Sequence, residues 1–93
     1  MIAIIKRKGH REAYDERKVY ASCYAAALNC HYKEEKAEAL AKKVTTAVTR
    51  AVKYHTHHKH TKLITSHDIR NVVIKHIPDP EVTFMYIHHL DIC

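Results

Sequence analysis

Ninety-three residues are enough for one domain with a modest core and too few for two. A single Gly and two Pro exclude a disordered chain and a loop-rich β-sandwich, and no apolar run approaches the ~20 residues of a membrane-spanning helix. The net charge of +6, with ten His able to add more in acid, directs the chain towards anionic partners: nucleotides, nucleic acid or acidic protein surfaces.

In chain order, IAIIKR (residues 2–7) is β-branched and apolar and reads as a strand. Its charge follows its apolar run, the reverse of a signal peptide, so the expected location is the cytoplasm. KGHR is a turn, with Gly9 supplying a backbone angle that other residues resist. REAY pairs back as a short second strand. Asp15 is the expected N-cap of a first helix whose apolar face is Val19, Cys23, Ala26, Ala27 and Cys30. NCHYK breaks that helix near residues 29–32. A second helix follows from about Lys33 to Tyr54, striped by Ala37, Leu40, Ala41, Val44, Val48, Ala51 and Val52. HTHHKHTK (55–62) reads as a linker. LITSHDI opens a third helix capped by Thr65 or Ser66, with Asp68 in its first turn and Ile69, Val72, Val73 and Ile77 facing inward. IPDPEV ends it and starts a fourth, with Asp79 as N-cap, Pro80 at the first helical position, and Val82, Met85, Tyr86 and Leu90 as the stripe. The expected class is α+β: an N-terminal β-hairpin followed by a four-helix bundle, one nucleotide-binding domain over residues 1–93.

Four basic residues, Lys6, Arg7, Lys8 and Arg11, surround the only glycine. A turn needs the glycine and not the charge. A phosphate chain, in contrast, needs fixed cations and free backbone amides. Lys6 and Arg7 are adjacent on a strand and point to opposite faces, so only one shares a face with Ile4. Lys18, one turn into the first helix, can approach the same pocket. Ile4, Tyr14 and Val19 can wall it for a nucleotide base. The same pattern also fits a solvated basic hairpin with a core tyrosine.

His55, His57, His58 and His60 have the density but not the spacing of a metal site, and no metal ligand set is assigned to them. Cys23, Cys30 and Cys93 make a poor disulfide framework, and Cys23 and Cys30 read as buried thiols. No Walker loop, GxSxG or HExxH is present, so no catalytic residues are assigned and binding without chemistry is expected.

The stretch IIKRKGHREAYDERKV (4–19) resembles the opening of the ATP-cone domain, (V/I)xKRxGxxxxFDxxK(I/V). ITSHDIRNVVIKHI is similar to that family's ITSxxIxxxV helix, and DPEVTFMYIHH to its closing helix. Such cones stand at the N-terminus of many ribonucleotide reductases and in their bacterial transcriptional repressor. The resemblance implies ATP or dATP as ligand, with or without magnesium. It puts Lys6, Arg7 and Lys18 near the phosphates, Ile4, Tyr14 and Val19 against the base, and Ile69 and Arg70 facing the nucleotide from the third helix. Lys8 departs from the usual Asp or Asn, and Arg70 stands where some reductases have histidine. The implied function is a regulatory module whose nucleotide state modulates self-association into a homo-oligomer or docking to an enzyme such as ribonucleotide reductase. The alternative is a nucleic-acid-binding transcriptional regulator related to the repressor. No CxxC pair precedes Lys6, where the repressor carries its zinc ribbon.

Overall fold

The computed structural model describes residues 2–6 and 8–92, with side chains as far as His88. Arg7 and Cys93 lie outside the described residues, as does the side chain of Leu90. The hairpin forms as expected. β1 (Ala3–Ile5) runs antiparallel to β2 (Arg11–Ala13), with Ile4 opposite Glu12. Its turn is closed by the Lys6 amide on the His10 carbonyl (2.9 Å) and the Gly9 amide on the Lys6 carbonyl (2.8 Å). Gly9 has a φ of 90°, where a side chain would be strained.

α1 (Glu16–Asn29) starts where Asp15 accepts a hydrogen bond from the Arg17 amide at 3.0 Å. It ends without a glycine. His31 adopts a φ of 66°, its amide donates to Leu28, and the Tyr32 amide donates to Ala27. That pair of bonds is a Schellman motif, which usually places glycine at this position. Cys30, expected on the apolar face of the helix, is its half-buried C-cap.

α2 (Glu34–His58) is longer than its sequence suggests. The first half of the histidine tract is its last turn, not a linker. Nothing between Tyr54 and His58 breaks a helix, and basic side chains suit the negative end of the dipole. α2 also ends without a glycine, with His60 at a φ of 52° and the Thr61 amide on the Thr56 carbonyl at 3.2 Å, the outer bond of a Schellman motif.

The hairpin also acquires a partner that the sequence reading left in the third helix. Leu63–Thr65 forms β3, parallel to β1, so that β1 is the middle strand of a sheet ordered β2-β1-β3. The short β-branched segment pairs with the otherwise open edge of β1. Thr65 then caps α3 (Ser66–His76), its hydroxyl accepting from the Asp68 amide at 3.0 Å. Asp79 caps α4 (Pro80–Ile92) in the same way, accepting from the Glu81 amide at 2.9 Å. The Tyr32 hydroxyl donates to the other Asp79 oxygen at 2.6 Å, pinning the α1–α2 loop to the start of α4.

α1 packs on α2, α4 on α1, and α3 on α2. Their apolar stripes meet in one core that includes Val19, Cys23, Val44, Val48, Val52, Val73, Val82 and Tyr86. Val72 and Met85 lie at its edge. Among the described residues no helix is long and apolar enough to cross a membrane.

Candidate functional site

Alternation along the hairpin places Ile4 and Lys6 of the first arm on one face with Glu12 and Tyr14 of the second. That face does not pack flat on the helices. It stands off from the starts of α1 and α3 and from α4, leaving a cleft of about 530 Å³. Its volume falls in the range of small-molecule sites, roughly 300–1,000 Å³.

Seven residues singled out in the sequence line this one cleft: Ile4, Lys6, Tyr14, Lys18, Val19, Ile69 and Arg70. Arg7, the eighth, is outside the described residues. Lys6 is the member of the Lys6–Arg7 pair that shares a face with Ile4. The apolar lining comes from Ile4, Val19 and Ile69, with the Tyr14 and Tyr86 rings. Tyr14 is held by a 2.9 Å hydrogen bond between its hydroxyl and that of Thr49 on α2. Burial raises the Tyr14 hydroxyl above its ordinary value. Tyr86 is almost fully buried and is pushed up to about 12, first by burial and then by the neighbouring Cys23, with Arg70 opposing.

The cations of the cleft are not idle. Glu12 forms ion pairs with Lys6, at 3.6 Å, and with Lys18. Lys18 nevertheless leaves 65% of its side chain open to solvent, against 34% for Lys6. Lys8 and Arg70 add to the positive lining, with His10 beside them. Asp15, the other acid at the cleft, is already engaged by the Arg17 guanidinium at 3.0 Å and by the α1 cap, and these bonds hold its carboxyl below the usual range. The arrangement is a cationic rim above an apolar floor. It suits an anion carrying a flat apolar group.

Glu12, Ser66 and Tyr86 escaped the sequence reading. Glu12 has the same strand parity as Ile4, Lys6 and Tyr14, and that signal was available. Ser66 enters because β3 brings the first turn of α3 beside the hairpin. Tyr86 was assigned to the core, and it serves both core and cleft.

Elsewhere the histidines of α2 do not line the cleft. Among the described residues no group of three or more His, Cys, Asp or Glu is arranged to hold a metal. Cys23 is fully buried and its thiol is pushed up to about 12 by burial, which keeps it protonated and poorly nucleophilic.

No curated protein matches the chain at a significant level. The family profile of the ATP cone domain matches residues 2–88, from β1 into α4 and across every segment that lines the cleft. ATP cones are regulatory rather than catalytic domains and bind ATP or dATP as allosteric ligands. The chain belongs to the ATP-cone family, and a nucleotide-binding regulatory role follows from that membership.

Proposed function

We propose that residues 1–93 work as one nucleotide-sensing unit that binds ATP or dATP in the cleft between the hairpin and the helices. In this reading Lys6, Arg7, Lys18 and Arg70 grip the phosphates, and Ile4, Tyr14, Val19 and Ile69 hold the base. The observation that carries it is the joining, in one cleft, of cations and apolar walls drawn from the first 19 residues and from α3. The unit binds without hydrolysis, since hydrolysis would erase the signal it reports.

The output is a population shift: a nucleotide acts only by favouring one of two arrangements. Those arrangements are states of self-association, or docking to an enzyme such as ribonucleotide reductase. Phe84, 66% exposed on α4 and stacked on His88 with ring centroids 6.2 Å apart, supports a contact on that helix. Tyr20 and Tyr24 of α1, which also lie off the apolar stripe of their helix, are half-buried against the core and support such a contact less.

Calorimetric titration with ATP, dATP, GTP and AMP, with and without magnesium, tests the binding. Adenine triphosphates bind in the micromolar range or tighter and AMP much more weakly. Equal affinity for AMP and ATP removes the phosphate grip from the reading, and no heat at millimolar nucleotide removes the reading itself.

A further inference from the structure

From Ala39 to His67 the chain carries no acidic residue, while it carries six Lys or Arg and five His. Most of this stretch is α2, which is about 37 Å long at 1.5 Å per residue. The face of α2 opposite its buried stripe is solvent-exposed and does not line the nucleotide cleft. Lys43, Arg50, Tyr54 and His58 fall on that face at intervals of seven, four and four, one continuous stripe of a 3.6-residue helix. Lys42 and Lys53 flank it. None of these cations has an ion-pair partner among the described residues. Ala39, Thr46 and Ala47 leave a shallow depression between Lys42, Lys43 and Arg50, where a polyanion backbone can come close.

At the C-terminal end of the stripe is a second, different feature. The Tyr54 ring is 64% exposed and stacks on the His58 ring, centroids 3.8 Å apart and planes 22° from parallel. Two stacked rings beside a row of cations form a platform for an unstacked base next to a track for phosphates. We infer that the outer face of α2 docks single-stranded nucleic acid, with Lys43, Arg50 and Lys53 along the sugar-phosphate backbone and a base on Tyr54.

Charge and ring together select this occupant. A duplex uses the cations but keeps its bases stacked and away from Tyr54. A membrane surface needs bulky apolar groups to insert, and among the described residues the other large exposed apolar side chains, Leu28 and Phe84, belong to α1 and α4. An acidic protein surface has no use for the ring platform.

Fluorescence anisotropy of the intact protein with a labelled 20-nucleotide oligothymidylate, and with a duplex of equal length, tests the inference. The single strand binds more tightly than the duplex. Its affinity falls linearly with the logarithm of salt concentration, and K43Q/R50Q lowers that slope by about 1.4, at ~0.7 for each cation removed. Y54A weakens single-strand binding about fivefold or more. All three side chains are exposed, so circular dichroism of the variants stays that of the parent. K6A/K18A serves as the opposite control: if it abolishes binding while K43Q/R50Q does not, the oligonucleotide is held in the nucleotide cleft and the inference is wrong. Equal affinity for duplex and single strand, unchanged binding by Y54A, or no binding at low salt also overturns it. None of these outcomes bears on the calorimetric test of ATP binding.

Discussion

Glu12 sits between Lys6 and Lys18, the two lysines that the proposed reading assigns to phosphate. Its carboxylate engages Lys6 and Lys18 together, so an entering polyphosphate must first displace it. Inorganic tripolyphosphate isolates this competition because it has neither ribose nor base. Exposed ion pairs contribute about 0.2–1 kcal/mol each. E12Q should therefore tighten tripolyphosphate binding by roughly two- to thirtyfold, the two pairs taken together. Calorimetry reads this directly, and an unchanged affinity shows that the carboxylate swings aside without cost. K6A and K18A should act in the other direction on ATP, each losing a charge-assisted contact of about 1.5–3 kcal/mol. The fold is expected to survive both, since Lys18 is largely exposed and Lys6 partly so. Strand parity made Lys6 legible as a neighbour of Ile4, while Tyr14 joins their face through the β1–β2 register. Glu12 shares that parity, so its place on the same face was equally legible. Its ion pairs balance the charge of both lysines.

At the level of elements, the helices were legible wherever local chemistry acts alone. Asp15, Thr65 and Asp79 each cap the helix that follows them, and the apolar stripes of α1 to α3 face the core. β3 was not legible. Leu63, Ile64 and Thr65 carry no sign of strand that a helix lead-in lacks, and what makes them a strand is the open edge of β1, some sixty residues away. The two glycine-free helix ends were equally hidden. His31 and His60 hold left-handed backbone at φ of 66° and 52°, a conformation that costs a side-chain-bearing residue roughly 1–2 kcal/mol. Glycine removes that cost and returns part of the gain as chain entropy in the unfolded state. H31G and H60G should each raise stability by about 0.5–1 kcal/mol, read from the urea midpoint at constant m-value. A loss of stability at either position would mean that the imidazole makes a contact worth more than the strain.

For the molecule as a whole, two titrating groups sit inside the core. Cys23 rises from an ordinary value of 9.0, and Tyr86 from 10.0, each to about 12 and chiefly through burial. Both are neutral in the fold and ionise first in the unfolded chain. The stability they protect is therefore complete below about pH 9 and is lost progressively as pH rises towards 12. Thermal melts across that range should show a falling Tm. C23A should remove the part that begins near pH 9, and Y86F the part that begins near pH 10. A flat profile up to pH 11 would show that the two groups reach solvent without unfolding. Nucleotide should also change the assembly of the molecule. Light scattering at high protein concentration, with and without ATP or dATP, is expected to show a mass that depends on the ligand. An unchanged mass in every state would leave a different protein as the recipient of the signal.

The parallel pairing of β1 with β3 has a consequence for the order of events during synthesis. The hairpin and the lysines of the cleft are made before Ser66, Ile69, Arg70 and Tyr86, which complete it. A nascent chain that stops short of β3 already has the cations but lacks the opposite wall, and a ladder between strands so far apart in sequence closes late because its loop-closure entropy is unfavourable. A ligand of this cleft therefore meets its full set of contacts only after α4 has been made. At a hundredfold its Kd it adds about 2.7 kcal/mol to the folded domain. Occupancy then reports that both halves of the cleft have been made and joined.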